Sequence, residues 1–238
     1  MSNSYFKFKQ FTIFQDKCAM KVSTDACIHG AWTPVTEQAA KVLDIGTGTG
    51  LLSLMLLQRN NKMTVDAIEI DADAAEQAAS NVKESTWQEN INIVCSDIRT
   101  YPFIHKYDLI ICNPPFFNKS LEGPNAQRNV ARHTSALTYD DLLSVVSDNL
   151  IESGVASVLL PAKEFQEFEP LLNEYGLYIT GQLSIHPREG AKANRVVALL
   201  SNKRQDKVLQ ESLNIRQANS DEYTQEFIEL LQPYYLSL

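Results

Sequence analysis

The sequence predicts an α/β fold in which a seven-stranded, mostly parallel sheet carries helices on both faces, with an antiparallel strand pair near the C-terminus. Two observations support this prediction. Short apolar runs rich in Val and Ile alternate with segments of helical spacing, as in repeated strand–helix–strand units. Three glycines crowd into residues 46–50, between the first central run and a helical segment. The 238 residues, 44% of them hydrophobic, suffice for one domain with a large core.

Five short apolar runs account for the parallel strands, because each is too short for a helix and is rich in β-branched residues. They cover residues 41–45, 64–70, 91–95, 107–112 and 155–160. Between them, residues 50–59 are apolar nearly all round, as expected for a helix buried against a sheet. Two further helices are predicted from apolar residues at 75–82 and 142–150, the second with Thr138 as its N-cap.

The last third of the chain changes in character. One helix is predicted around residues 165–175, two antiparallel strands at 177–185 and 195–201, and a final helix within 221–232. Residues 1–40 form an N-terminal extension, predicted as a short hairpin followed by a helix over 25–32. Because no Pro-, Gly- or Ser-rich linker interrupts the rest, we expect a single domain over 41–238.

Net charge and cysteine content restrict the class of protein. The net charge of −8 argues, as an average, against a polyanionic partner. However, residues 1–30, 116–139 and 181–207 carry net charges of +2, +2 and +4. No apolar stretch is long enough to span a membrane or serve as a secretory signal. Cys18, Cys27, Cys95 and Cys112 form no C-x-x-C pair, so we expect buried free thiols, no metal and a reducing cytoplasm.

The glycine cluster and the carboxylates around it predict the ligand. The spacing in Gly46-Thr-Gly48-Thr-Gly50 departs from the G-x-G-x-x-G of dinucleotide sites, and no lysine follows as in a P-loop. Asp44, just before the glycines, would repel a phosphate and attract an ammonium group. Glu69 ends the second parallel strand, where a carboxylate suits the two hydroxyls of a ribose. A ligand with an ammonium group and a ribose but no phosphate fits S-adenosylmethionine.

At these residues the chain resembles the class I S-adenosylmethionine-dependent methyltransferases, which have a Rossmann-like fold. The resemblance covers residues 41 to about 161. It implies that the Asp44 to Gly50 segment holds the methionine part of the cofactor, Glu69 the ribose, and Asp97 the adenine amine. The full set of residues implied for the cofactor, apart from the N-terminal extension, is Asp44, Gly46, Thr47, Gly48, Gly50, Glu69, Ile70, Asp97 and Ile98.

The tetrapeptide Asn113-Pro114-Pro115-Phe116 predicts the reaction. It follows the fourth parallel strand, and two prolines end a strand abruptly. The Asn113 side-chain oxygen and the Pro114 carbonyl can accept the two N–H bonds of a delocalised amine, which would aim its lone pair at the methyl group. Phe116 offers a face on which a flipped base can stack. In known families this tetrapeptide marks methyltransferases that act on amino groups of bases or of glutamine.

Residues 8–25 and 30–32, the tetrapeptide and Ala131-Arg132-His133 resemble the bacterial methyltransferases that act on N6 of adenosine 37 in valine tRNA. This resemblance implies that the extension closes over the cofactor, with Lys21, Thr24 and Asp25 at its methionine end. A structural ion pair or helix cap remains an alternative for Lys21 and Asp25. The substrate contacts expected at the anticodon loop of the tRNA are Pro115, Phe117, Lys119, Arg132, His133, Arg188 and Arg195. His133 could equally be structural.

Other functions remain open at this stage. Glutamine N5-methylation of a release factor uses a similar tetrapeptide, although those enzymes usually carry a helical domain before the glycines and a Tyr in place of Phe116. Guanine-N2 methylation of ribosomal RNA and a non-catalytic binding module are further alternatives. We expect a monomer.

Overall fold

The computed structural model describes residues 3–18, 20–38, 40–114 and 137–238. Its strands are β1 (Tyr5–Lys7), β2 (Thr12–Phe14), β3 (Lys41–Ile45), β4 (Thr64–Glu69), β5 (Ile91–Cys95), β6 (Tyr107–Cys112), β7 (Leu150–Pro161), β8 (Tyr178–Arg188), β9 (Arg195–Ser201) and β10 (Leu209–Arg216). Its helices are α1 (Thr24–Trp32), α2 (Leu51–Arg59), α3 (Ala72–Lys83), α4 (Tyr139–Asn149), α5 (Ala162–Phe168) and α6 (Gln225–Leu231). Two short 3-10 helices cover Gln88–Asn90 and Glu169–Tyr175.

Eight strands form the main sheet, in the order β10-β8-β9-β7-β6-β3-β4-β5, while β1 and β2 pair as a separate hairpin. Strand β9 runs antiparallel to both of its neighbours, and all other pairs in the main sheet are parallel. The predicted α/β fold and antiparallel pair are confirmed. The sheet has one strand more than predicted, because β10 is a mostly polar edge strand with no apolar run to indicate it.

The two faces of the sheet bury two hydrophobic cores. Successive residues of a strand point to opposite faces, so Val42 of β3 joins one core and Leu43 the other. The first core receives the hairpin and helices α1, α2 and α6, and the second receives α4 and α5. The central strands are thus covered on both faces, which explains their continuous apolar sequences.

The N-terminal extension packs directly on the rest of the fold. A Cβ on Gly30 of α1 would lie 2.9 Å from the Met55 sulfur of α2, so glycine is what allows the two helices to approach so closely. Ser23 stands where the family resemblance suggests glycine, and its hydroxyl caps α1 by accepting from the Ala26 N–H. This extension therefore contributes to the first core as an integral layer.

Local signals in the sequence define the other helices well, with one exception. Thr138 caps α4 in a reciprocal capping box with Asp141, as predicted. The single helix predicted around 165–175 is instead α5 followed by a 3-10 helix, in which Pro170 occupies the first turn. Proline has no N–H to donate, so it favours a break in the α-helical pattern at this point.

Three of the four cysteines are buried as predicted, but Cys95 is exposed. It ends β5, the strand at the outer edge of the sheet, where only one neighbouring strand covers it. The expectation that all four thiols are buried was therefore wrong for Cys95. Within the described ranges, none of the helices has both the length and the apolar composition needed to cross a membrane.

A buried polar chain ties α1 to the centre of the sheet. His29 Nε2 lies 3.0 Å from the Ser157 hydroxyl of β7, which lies 2.7 Å from the Thr33 hydroxyl. Thr33 in turn donates to the His29 carbonyl oxygen at 2.8 Å. If each hydroxyl donates once, Nε2 carries the imidazole proton, and Nδ1, buried without a partner among the described residues, carries none. Complete burial lowers the pKa of His29 to about 3.

The substitution His29→Gln should reduce the decrease in the free energy of unfolding that mild acid causes. The pKa of His29 is lower in the folded protein than in the unfolded chain, where it is about 6.5. The unfolded state therefore binds the proton first as the pH falls below that value. We expect the wild type to lose up to about 1.4 kcal/mol per pH unit more than H29Q between pH 6.5 and 5. Urea unfolding across this range measures the difference, and parallel curves would contradict a neutral buried imidazole.

Candidate active site

The glycine turn and the Asn113-Pro114 segment leave the sheet side by side. Ile45 and Cys112, the last residues of β3 and β6, are register partners in adjacent parallel strands. The residues that follow them, Gly46 and Asn113, therefore emerge together at the carboxyl edge of the sheet. Ligands of open α/β sheets bind outside this edge, where the direction of chain progression reverses.

The backbone of the glycine turn requires glycine. Gly46, Gly48 and Gly50 have φ values of +67°, +56° and +82°, in the left-handed region that other residues rarely adopt. A Cβ on Gly46 or Gly48 would meet no atom of the described residues within 4 Å, because both line an open cleft. The N–H groups of Gly46 and Thr47 donate to the Ile68 carbonyl at 2.8 and 3.2 Å, which anchors the turn to β4.

Asp44 is a fully buried carboxylate beneath this turn. Its Oδ2 accepts from the Thr47 hydroxyl at 2.7 Å and from the Ser53 hydroxyl at 2.6 Å. Its Oδ1 has no hydrogen-bond partner among the described residues. Burial raises the pKa of Asp44 to about 6, against the opposing effect of the two hydroxyls. One acceptor atom of this buried carboxylate therefore has no donor in the described part of the chain.

Glu69 is preorganised by two backbone amides. Its Oε2 accepts from the Gly48 N–H at 2.9 Å, and its Oε1 accepts from the Asp71 N–H at 3.0 Å. A carboxylate has about four acceptor sites, so each oxygen can still accept from a ligand hydroxyl. Asp71, next along the chain, caps α3 by accepting from the Ala74 N–H. Glu69 therefore fixes the glycine turn while remaining available to the cleft.

Asp97 follows β5 and is held by Arg99. The guanidinium donates from Nε to both carboxylate oxygens at 2.9 and 3.0 Å, and from Nη2 to Oδ2 at 2.6 Å. The Arg99 backbone N–H adds a fourth bond to Oδ1 at 3.0 Å. This contact holds the pKa of the Asp97 carboxyl below its usual value. Asp97, Ile98 and Arg99 all line the cleft.

Asn113 and Pro114 form the opposite wall of the cleft. The side-chain Oδ1 of Asn113 is buried and has no hydrogen-bond partner within the described part of the chain. A buried amide oxygen is costly to leave without a donor, so this atom is a candidate acceptor for an N–H group in the cleft. The remaining residues predicted around this motif lie outside the described residues: Pro115, Phe116, Phe117, Lys119, Arg132 and His133.

The cleft has a volume of about 260 Å³. Only part of the predicted cofactor set lines the cleft, namely Gly46, Gly48, Glu69, Ile70, Asp97 and Ile98, whereas Asp44, Thr47 and Gly50 do not line it. Two residues of the N-terminal extension that the sequence did not indicate, Cys18 and Met20, line it as well. A cleft of mainly apolar walls with a few polar atoms is typical of a small-molecule site.

The remaining predicted residues of the extension do not line this cleft. Thr24 begins α1, and Lys21 is an exposed residue just before it. The Asp25 carboxylate pairs with Arg195 Nε at 2.8 Å. This contact is the structural ion pair that was the alternative for Asp25, and it joins α1 to the beginning of β9.

The basic segment 181–207 is divided between two edges of the sheet. Arg188 and Arg195 lie at the carboxyl edge, where Arg188 pairs with Asp221 at 3.0 Å and Arg195 with Asp25. Because β9 runs back through the sheet, the cations that follow it, such as Lys203, emerge at the opposite edge. Only the first part of the segment can therefore contact a ligand of the cleft.

Two positioning residues lacked a sequence signal. Asn81 of α3 exchanges hydrogen bonds of 2.9 Å with the Phe14 backbone and donates to the Thr49 carbonyl at 2.9 Å, so it links the hairpin to the glycine turn. Ser53 supports Asp44 from the first turn of α2. Each lies within an ordinary helical pattern, where nothing distinguishes a polar residue with a tertiary partner. Across the described ranges, no group of three or more His, Cys, Asp or Glu residues is arranged to hold a metal ion.

The chain resembles known proteins over its whole length, and a family model matches its central part. The family model described as the methyltransferase small domain matches residues 33–180. The chain is 42% identical over 241 residues to a protein of Bacteroides fragilis named tRNA1(Val) (adenine(37)-N6)-methyltransferase, and 43% identical over 240 residues to one of the same name from Cytophaga hutchinsonii. In both cases the match covers 100% of each chain.

Solved structures show the same fold at low sequence identity. A protein of Agrobacterium tumefaciens described as a predicted O-methyltransferase superposes with a TM-score of 0.69 at 17% identity, covering 88% of this chain and 96% of its own. A TehB-like SAM-dependent methyltransferase of Corynebacterium glutamicum gives a TM-score of 0.51 at 18% identity, covering 78% and 90%. At these identities the likeness concerns the fold alone.

Replacing Ser53→Ala should destabilise the protein more at pH 8 than at pH 5. Above pH 6 the folded protein holds Asp44 ionised, and a hydrogen bond to a charged group contributes about 2 kcal/mol. At pH 5 Asp44 is mostly protonated and the lost bond is weaker.

Ser157→Ala is the matched control, because Ser157 is an equally buried serine whose partner His29 stays neutral at both pH values. Its cost, about 1 kcal/mol, should be the same at pH 5 and pH 8. Urea unfolding of both variants at the two pH values measures this. An S53A cost that does not depend on pH would show that Asp44 does not titrate in this range.

Proposed function

The chain belongs to the methyltransferase small domain family, and we propose that it transfers the methyl group of S-adenosylmethionine to the N6 amine of adenosine 37 in valine tRNA. The observation that carries the proposal is the buried Asn113 Oδ1 at the wall of the cleft, next to the glycine turn, which has no hydrogen-bond partner among the described residues. Full-length identity of about 40% to relatives named for this reaction gives the substrate.

The residues of the cleft fit the cofactor. The negative charge of Asp44, buried beneath the glycine turn, attracts an ammonium group in the cleft. Glu69 can accept from two ribose hydroxyls while keeping its bonds to the backbone. Asp97 lies at the far wall, where its carboxylate can accept from the adenine amine. When bound, S-adenosylmethionine supplies a methyl group carried on a positively charged sulfur.

Asn113 and Pro114 prepare the amine for reaction. The exocyclic nitrogen of adenine is a poor nucleophile, because its lone pair is delocalised into the ring. Acceptance of its two N–H bonds by Asn113 Oδ1 and the Pro114 carbonyl would hold the amine with its lone pair towards the methyl group. The same two oxygens stabilise the positive charge that develops on nitrogen. The methylated, cationic nitrogen is strongly acidic, so its surplus proton can pass to water and no strongly basic side chain is needed.

Residues of the N-terminal extension and of the carboxyl edge of the sheet surround the cleft. Cys18 and Met20 line the cleft, which supports the proposal that the extension closes over the cofactor. The predicted tRNA contacts of Arg132 and His133 remain part of the proposal. Arg188 and Arg195 can contribute positive charge at this edge, although each already binds a carboxylate. We further propose that the enzyme acts as a monomer in the cytoplasm.

Methyl transfer to three substrate classes in parallel tests the proposed function. Purified protein is incubated with radiolabelled S-adenosylmethionine and an unmodified valine tRNA transcript, ribosomal RNA or a release factor. We expect label in the tRNA alone, recovered as N6-methyladenosine by nucleoside mass spectrometry. A transcript carrying guanosine at position 37 is the matched control and should stay unlabelled. Label in ribosomal guanine or in the release factor would replace the proposal with one of those alternatives.

Replacing Asn113→Ala should abolish transfer and leave cofactor binding nearly unchanged. The side-chain oxygen acts on the amine to be methylated, so its loss removes alignment and charge stabilisation in the transition state, at a cost of about 100-fold or more in kcat. Calorimetry with S-adenosylhomocysteine checks that binding persists. A variant with normal turnover would remove Asn113 from the reaction.

Replacing Gly48→Ala should weaken binding of S-adenosylhomocysteine by about tenfold or more, because the added Cβ enters the cleft where the ligand approaches the backbone. Gly190→Ala is the matched control. Gly190 has a similar φ of +77° and equally open surroundings, but lies in the turn between β8 and β9. Both substitutions should lower stability by about 1 kcal/mol through the left-handed backbone. Equal affinity in the two variants would show that the ligand does not approach residue 48.

A further inference from the structure

Arg99 occupies an unusual position in the cleft. It lines the cavity at the end of β5, yet its Nε and Nη2 donate to a residue only two positions before it, the Asp97 carboxylate. Its Nη1 lies 4.0 Å from Asp141 Oδ2, the oxygen that also accepts from the Thr138 N–H in the capping box of α4. Arg99 therefore bridges the loop after β5 and the N-terminus of α4.

We propose that Arg99 is a positioning residue that makes the far end of the cleft selective for a base with an exocyclic amine, by fixing the Asp97 carboxylate as an oriented acceptor. This inference rests on the proposed function, since it assigns a role in binding the adenine of S-adenosylmethionine. Arg99 acts through Asp97, and its own donors are directed at carboxylates.

The hydrogen bonds around Asp97 account for the selectivity. Oδ1 accepts from the Arg99 backbone N–H and from Nε, while Oδ2 accepts from Nη2 and shares the Nε donor. Three N–H donors, one of them shared between the two oxygens, occupy about three of the four acceptor sites on the carboxylate, so about one site is left, which suits a single N–H from an amine. The neighbouring guanidinium keeps the pKa of Asp97 low, so the carboxyl stays ionised and cannot act as a donor.

The guanidinium of Arg99 also lowers the entropic cost of ligand binding. The Asp97 side chain is 27% exposed, so without Arg99 it would turn between rotamers and would have to be ordered when the ligand binds. Lysine at this position would keep the positive charge but lose the planar, two-point contact. The substitution Arg99→Lys therefore separates orientation of the carboxylate from charge in the cleft.

Calorimetry with two ligands tests the inference. The probes are S-adenosylhomocysteine and its 6-deamino analogue, which carries purine in place of adenine. We expect the wild type to prefer the adenine ligand by about tenfold, as for one hydrogen bond to a charged acceptor. Arg99→Lys should reduce this preference to about twofold or less, with unchanged affinity for the purine ligand. Arg204→Lys, an exposed arginine after β9, is the matched control and should keep the full preference.

The outcomes distinguish a positioning role from a structural one. A structural defect in Arg99→Lys would lower the affinity for both ligands equally, and this result, or an intact preference, would overturn the inference. Asp97→Ala provides the second variant and should abolish the preference; if it persists, the amine is not recognised through Asp97. In either case binding of S-adenosylhomocysteine leaves the proposed function standing. Failure of the wild type to bind either ligand would instead overturn the proposed function.

Discussion

A carboxylate without exposed surface is costly to hold in a protein interior, and the architecture of the cleft follows from how Asp44 is satisfied. The Thr47 hydroxyl ties the glycine turn to it, and the Ser53 hydroxyl ties the first turn of α2 to it. The two bonds fix the end of β3 and the beginning of the next helix around a single anion. They leave one oxygen without a partner in the described chain, so the negative charge beneath the turn is only partly satisfied by hydrogen bonds.

The parallel sheet brings this anion close to the Asn113-Pro114 segment. Asn113 follows Asp44 by many residues in sequence, but the register of Ile45 and Cys112 places their continuations beside each other. The cleft then has two ends with different chemistry. Asp97 and Arg99 at one end offer an ionised acceptor, whereas Asn113 at the other offers a neutral amide oxygen. A neutral acceptor suits an amine that becomes positively charged only during the reaction, and an ionised one suits permanent recognition of a base.

Charge in this protein has to be considered by location. The net charge of −8 wrongly suggested, as an average, that nucleic acid is an unsuitable partner. The segment 181–207 has a net charge of +4. However, Lys203 follows β9 and lies at the edge of the sheet opposite the cleft, where it pairs with Glu152. Arg188 and Arg195 at the carboxyl edge are bound to Asp221 and Asp25. The positive charges of both arginines at this edge are therefore partly balanced by carboxylates.

The sequence by itself determined the central strands, the glycine turn, the Thr138 cap and the end of β6 before Asn113-Pro114, because each depends on periodicity or backbone geometry within a few residues. Only the tertiary structure decided that Asp25 pairs with Arg195, that Arg99 orients Asp97, that β10 extends the sheet and that Cys95 is exposed. Hydrogen-bond partners of polar side chains are determined by proximity in space, and a position at the edge of the sheet has no local signature in the sequence. The sequence thus indicated the acceptor residues of the cleft, but it did not indicate the donors that are hydrogen-bonded to them.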